Sequence, residues 1–168
     1  MPNLTIRYAN EKDTAVILKF IRRLAEYEKL DHHLTATEED IRVTLFDKKQ
    51  AEVIIAQAND TPVGFALFFR NYSTFLGKAN VFLEDLYVSD EYRGMGIGTK
   101  MLQYLAKISI DSGGQRLDWL CLDNNLEAVE FYKNLGAEIL DDRRVFRLSK
   151  DNLKDFAYKK QKKRGDKL

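Results

Sequence analysis

The sequence has 168 residues, 32% of them charged, and a formal net charge of +1 from 27 Lys plus Arg against 26 Asp plus Glu. That length suits one domain with a real core, and the balanced charge gives no electrostatic reason to expect a nucleic-acid partner. The single cysteine, Cys121, excludes an internal disulfide framework and a cysteine-built zinc site. With no signal-peptide core and no apolar stretch of membrane-spanning length, a cytoplasmic protein without a membrane partner is expected.

"LTIRYA" reads as a first strand. "NEKDTAVILKFIRRLAEYEKL" follows with Ile17, Leu18, Ile21, Leu24 and Ala25 at helical spacing, and Asn10 or Asp13 suits its cap. Thr37 followed by Glu38, Glu39 and Asp40 has the form of an N-terminal cap for a second, short helix ending near "LFDKK". "AEVIIAQA" and "PVGFALFFRNY" are strands around the hairpin signal "NDT", and "NVFLEDLYV" completes an antiparallel meander.

Then come Gly94, Gly96 and Gly98, leading into the helix "TKMLQYLAKISIDSGG", which Gly113 and Gly114 stop. "QRLDWLCL" reads as a strand reached by a parallel crossover, with Cys121 as a core residue in it. "NLEAVEFYKNLGA" is a further helix stopped by Gly136, and "AEIL" and "RRVFRLS" read as a closing strand pair. The expected architecture is one mixed α/β domain over residues 1–150, with a basic, partly helical tail over 151–168. The adjacent His32 and His33 lack the spacing of a helical metal pair, so no metal site is expected.

A glycine-rich loop opening a helix points several backbone N–H groups at one place, where the helix dipole adds positive charge. Arg93 adds a full charge. A phosphate or pyrophosphate is the natural ligand. The P-loop order of Gly-Lys-Ser/Thr is absent, since the chain reads Gly98-Thr99-Lys100, and a Rossmann loop needs two residues where only Ile97 separates two glycines.

Glu84 lies in the strand before this loop. Simple alternation places Phe82, Glu84, Leu86 and Val88 on one face, and a carboxylate among such neighbours is costly unless paired or used. Asp85 then faces the other side unless a bulge redirects it.

The pattern Arg93-x-x-Gly96-x-Gly98, between an apolar strand and a helix, resembles the acyl-CoA signature of the GNAT superfamily of N-acetyltransferases. The element order matches that fold from Leu4 to Ser149, as an antiparallel meander, a parallel βαβ and a C-terminal strand pair. Within the superfamily, "LAEYEKL", "YSTFLGK", "LEDLYVSDEYRGMGIG" and "NNLEAVEFYKNLGA" resemble the diamine group, which holds the spermidine/spermine and thialysine acetyltransferases.

The resemblance implies direct acetyl transfer from acetyl-CoA to a primary amine of a small di- or polyamine or a lysine-like amine, with no metal. It implies Glu84 as proton acceptor and Tyr132, in "EFYKNLG", as acid to the departing sulfur. Leu86, Tyr87 and Val88 are expected to offer backbone to the pantetheine arm. Arg93, Gly94, Met95, Gly96, Ile97, Gly98 and Thr99 are expected to hold the pyrophosphate, and Asn125 to touch pantetheine while capping the last helix. Tyr27, Glu28, Glu84 and Asp85 are the expected amine contacts.

Polyamine-acetylating members carry an acidic residue where Ser73 stands and a Trp where Phe75 stands; Ser73 is closer to the thialysine branch. A homodimer is implied. The alternatives are a non-catalytic acetyl-CoA-binding module and an enzyme acetylating protein or peptide amines.

Overall fold

The computed structural model describes residues 3–159; the stretch 160–168 of the expected basic tail lies outside the described residues. The chain divides into two units, residues 1–129 and 130–168.

The first unit is built on a five-stranded sheet in the order β1 (Leu4–Tyr8), β2 (Glu52–Ala58), β3 (Thr61–Ser73), β4 (Lys78–Val88) and β5 (Leu117–Trp119). β1 to β4 pair antiparallel, and β5 pairs parallel with β4. The expected meander and parallel crossover are therefore present. Asn59 and Asp60 turn β2 into β3 with φ of 48° and 65°. Asn and Asp tolerate such left-handed positions, and two in succession match the twist of a hairpin.

Helix α1 (Thr14–Tyr27) is preceded by a 3-10 turn, Glu11–Asp13, closed by a capping box. The Asn10 side chain accepts from the Lys12 N–H, and the Asp13 carboxylate accepts from the Asn10 N–H at 2.8 Å. The same carboxylate receives both Arg7 amino groups at 2.8 Å each, tying β1 to the helix start. Helix α2 (Glu38–Arg42) has its own box between Thr37 and Asp40 and continues as a π turn over Val43–Asp47.

Both helices cover one face of the sheet. Ile17, Leu18 and Phe20 of α1 and Ile41 of α2 bury against Val53, Ile55, Phe65 and Tyr87. Phe20 stacks on Phe65 with ring centroids 5.6 Å apart. Each such buried aromatic contributes about 2–3 kcal/mol by removal from water.

The other face carries Tyr8 and Phe68, and Tyr104 of helix α3 (Ile97–Asp111) meets Tyr8 edge-on. Met101 and Leu105 of α3 are fully buried. Gly64 of β3 lies under Met101, where a Cβ would stand 2.8 Å from the Tyr87 carbonyl oxygen. Only glycine allows β3 and β4 to approach so closely there.

α3 ends as expected, with Gly113 at φ 83°. Buried Asn80 then accepts from the Gln115 N–H at 2.9 Å, and the Ser109 hydroxyl donates to the Arg116 carbonyl at 2.7 Å. These two bonds set the start of β5 against the sheet.

Two expectations need correction. β5 is three residues long, so Cys121 lies past its end in irregular chain and is only partly buried, not a core strand residue. The closing strand pair is also absent. Residues 137–149 form no strand among the described residues, and all but Ala137 are exposed. Asp141, Asp142, Arg143 and Arg144 stand together, and adjacent Val145 and Phe146 point an extended chain's apolar residues to opposite sides. Within 145–148 only Phe146 and Leu148 form an apolar pair on one face, and an isolated two-stranded hairpin is marginally stable at best in water.

Helix α4 (Leu126–Asn134) begins in the first unit and ends in the second. Gly136, at φ 86°, ends it: its N–H donates to Lys133 and that of Ala137 to Tyr132. Within the second unit, α5 (Lys150–Tyr158) is exposed along its length.

Candidate active site

The centre of the site is an irregularity in β4. Leu67 of β3 pairs with Asp85, but the next residue, Phe68, pairs with Leu83. Glu84 is the extra residue of a β-bulge. The bulge overturns the expected alternation. Asp85 shares its face with Leu67, Phe65 and Tyr87, beneath α1, while Leu83 follows Phe68 to the α3 face. Phe82, Glu84, Leu86 and Val88 therefore do not form one face, and Glu84 itself is exposed.

Asp85 is partly buried. Burial, then the charge of Glu84 and then that of Glu28, push its carboxyl up to about 6. Glu28 caps α1 at its C-terminal end and is also raised, by burial. Lys29 beyond it has φ 60°, and the Leu30 N–H returns to the Ala25 carbonyl at 2.8 Å. This closes the helix, and the charge of Glu28 is felt at Asp85. Burial, Glu28 and Asp123 raise the Cys121 thiol in turn, so the chain past β5 borders the same acidic group. Three carboxylates thus gather where α1 ends and β4 bulges.

The bulge also lies where the sheet opens. β4 pairs with β5 over Val81, Phe82 and Leu83 only. From Glu84 to Val88 that edge has no strand partner among the described residues, while the opposite edge stays paired to β3 as far as Val88 with Gly64. The outward backbone groups of residues 84–88 can therefore take an extended ligand as an added strand.

Past Val88, a 3-10 turn over Asp90–Tyr92 leads to the glycine loop. Gly94 and Gly96 have φ of 75° and 76°, and a Cβ at either would meet nothing within 4 Å. They are needed for conformation rather than for space. Gly98 lies in the first turn of α3, and Gly96 caps that helix without any side-chain hydrogen bond. The first N–H groups of α3 are thus left to an outside acceptor, as in a phosphate cradle. The loop and the bare edge of β4 together fit the phosphate and pantetheine parts of acetyl-CoA. Ile97 points into the core and is 4% exposed, so its contribution is backbone only, whereas Met95 is exposed. Thr99 is partly buried in the same helical turn.

Arg93 makes contacts that the sequence did not anticipate. Its Nε donates to the Val88 carbonyl at 3.1 Å and an amino group meets Asp90 at 2.9 Å. Its guanidinium lies 4.6 Å from the centre of the Tyr27 ring and 5.5 Å from that of Tyr87. The first unit therefore brings together Tyr27, Glu28, Glu84, Asp85, Leu86, Tyr87, Val88 and the loop from Arg93 to Thr99.

Asn125 caps α4, its side chain accepting from the Ala128 N–H at 3.2 Å. Tyr132 lies in the last turn of α4, in the second unit, its ring 5.2 Å from that of Phe131. No group of three or more His, Cys, Asp or Glu among the described residues could hold a metal. Ser73 accepts from the Leu76 N–H at 3.3 Å in the β3–β4 turn, and Phe75 is 98% exposed beside it.

Three features escaped the sequence: the burial of Asp85, its coupling to Glu28, and the seat of Arg93. The one local signal for the first was two adjacent acids inside an apolar strand, a composition that alternation alone cannot accommodate.

Comparison with known proteins places these features in context. The model of the acetyltransferase (GNAT) family matches residues 18–137. The chain is 37% identical over 171 residues to thialysine N-epsilon-acetyltransferase from Sus scrofa, covering 95% of this chain and 100% of the relative. It is 28% identical over 194 residues to L-ornithine N5-acetyltransferase from Arabidopsis thaliana, covering 88% of this chain and 85% of that relative. Among solved structures, an integron cassette protein from the mobile metagenome of V. cholerae superposes with a TM-score of 0.79 at 28% identity, over 92% of this chain and 98% of that one.

Proposed function

The chain belongs to the acetyltransferase (GNAT) family, and on that premise we propose that its amine substrate is a small amino acid carrying a terminal primary amine, of the thialysine or ornithine kind. The protein is an acetyl-CoA-dependent N-acetyltransferase acting on amines. The observation that carries the narrower reading is the group of Glu28, Glu84 and Asp85 at the open edge of β4. It suits one ammonium group. Ser73, bonded within its own turn, supplies no further acidic contact for a long polycation.

An amine of this type has a pKa of about 10.4 and must lose a proton before it can attack. Acetyl-CoA supplies the thioester carbonyl. Asp85, raised to about 6 by its setting, is the better-matched acceptor of the amine proton, directly or through one water; Glu84 and Glu28 orient the ammonium. Tyr132 gives its phenolic proton to the leaving sulfur as the nitrogen–carbon bond forms and the carbon–sulfur bond breaks; the second proton shed by the nitrogen passes to solvent, from which the phenolate recovers its own. Residues 86–88 hold the pantetheine arm, with Asn125 beside them, and the backbone of residues 94–99 holds the pyrophosphate. Family resemblance supports these assignments, as it supports a homodimer in the cytoplasm.

The test is release of free CoA thiol with thialysine, L-ornithine, lysine, spermidine, spermine and a lysine peptide. The expected result is turnover with the amino acids at least tenfold more efficient than with spermidine. Preference for spermidine or for the peptide overturns the proposal. Light scattering that gives a monomer overturns the dimer.

A further inference from the structure

The guanidinium of Arg93 sits at a junction where the glycine loop, the end of β4 and the end of α1 meet through one side chain. Nε holds the last carbonyl of β4, at Val88. An amino group holds Asp90, in the turn just before the loop. The flat face of the cation covers the Tyr27 ring and, more distantly, the Tyr87 ring. Tyr87 in turn touches Phe20 with centroids 5.9 Å apart, and Phe20 stacks on Phe65. One end of this arrangement is anchored in the core. The other ends one residue before Gly94, where the chain first turns left-handed.

We propose that Arg93 is a positioning residue coupling the cofactor loop to the amine end of the site, so that occupation of the loop steadies Tyr27 and Glu28. The inference rests on the reading of residues 27–28 as amine contacts. Its physical basis is a shared two-sided contact. A ligand on residues 94–99 fixes the backbone that carries Arg93, and Arg93 fixes the ring next to Glu28. An arginine suits this work and a lysine does not, because it spreads one charge over a plane that can stack on a ring while its edge donates hydrogen bonds. By linkage, whatever acetyl-CoA does for the amine, the amine does for acetyl-CoA to the same factor. A partly exposed cation–aromatic contact of this kind supports a coupling of about fivefold.

The experiment is hydrogen exchange of the whole protein with and without CoA, together with thialysine affinity measured by calorimetry in both conditions. In the wild type, CoA is expected to slow exchange over residues 93–101 and also over 24–30, and to tighten thialysine about fivefold. In Arg93→Gln and in Tyr27→Leu, protection of 93–101 is expected to persist while protection of 24–30 and the fivefold effect are lost. Tyr27→Phe, which keeps the ring, is expected to retain both. Tyr27→Leu guards against a folding failure of Arg93→Gln.

Protection confined to the loop in the wild type overturns the coupling. So does Arg93→Gln losing tenfold or more in CoA affinity while Tyr27→Leu leaves 24–30 protected, since Arg93 is then a cofactor ligand alone. Absence of protection at 93–101 in the wild type overturns the pyrophosphate assignment and the coupling with it. If thialysine fails to bind but the exchange pattern appears as expected, the coupling stands and the choice of amine falls.

Discussion

Asp85 stands opposite Leu67, on the same face of the sheet as Tyr87, because Glu84 drops out of the β3–β4 ladder. Two neighbouring carboxylates thereby acquire different surroundings: one partly buried and raised to about 6, the other exposed. Their roles separate by mutation. Asp85→Asn is expected to lower kcat/KM by at least 100-fold and to remove the acidic limb of its pH profile near 6. Glu84→Gln is expected to act mainly on amine KM, by about tenfold or less. Steady-state rates from pH 5 to 9 decide it, and an intact acidic limb in Asp85→Asn returns the proton-accepting role to Glu84.

The same setting has a cost in stability. A carboxyl raised from 3.8 to about 6 in the folded chain holds its proton more tightly there than in the unfolded chain. Its effect is therefore destabilising above about 6, shrinks as pH falls through that value, and vanishes below about 4. At about 1.4 kcal/mol per pH unit, the gap corresponds to about 3 kcal/mol. Asp85→Asn is expected to melt higher than the wild type at pH 8 and to lose most of that advantage at pH 4.5. Equal melting differences at the two values refute the burial of Asp85.

The Arg7–Asp13 pair carries the opposite sign. Hydrogen bonds from Arg7 hold the Asp13 carboxyl below its ordinary value, so its contribution is present at neutral pH and is lost as pH falls through the lowered value. Asp13→Ala also removes the box that starts α1. A loss of about 2 kcal/mol at pH 7 is expected, discounted for the partly exposed Arg7, and urea unfolding measures it.

In the loop, Gly96→Ala forces a Cβ onto a residue at φ 76°. No neighbour obstructs the new methyl, so any effect comes from the backbone, at about 1 kcal/mol. Acetyl-CoA affinity is expected to fall about five- to tenfold, with amine KM at saturating acetyl-CoA little changed. Calorimetric titration of CoA reads the first effect; an unchanged affinity removes Gly96 from the cradle.

Tyr132→Phe is expected to lower turnover at least tenfold while leaving CoA affinity within twofold. Unchanged turnover under conditions where chemistry limits the rate ends its assignment as the acid.

Local signals in the sequence carried most of this. Asn59-Asp60, the two capping boxes, Gly113 and the periodicity of α1 and α3 each state their structure within a few residues. What they could not state depends on partners. A bulge at Glu84 exists only relative to β3, where Leu67 and Phe68 take Asp85 and Leu83. Arg93 was legible as a charge near a loop, but its seat on Tyr27 brings together residues far apart in sequence. The predicted strands over 137–149 failed for another reason: an extended segment with so small a shared apolar face does not become sheet on propensity alone.

The short β5 has one more consequence, for solubility. The edge of β4 over 84–88, without a strand partner among the described residues, would ordinarily recruit the strand of any neighbouring molecule, since unpaired backbone groups do not discriminate between a ligand and a polypeptide. A bulge distorts the edge, and two adjacent acids repel a second copy bearing the same pair. The features that prepare this edge for an amine thus also keep it from joining its own kind. A doubly neutralised chain, Glu84→Gln with Asp85→Asn, would surrender chemistry and colloidal protection together.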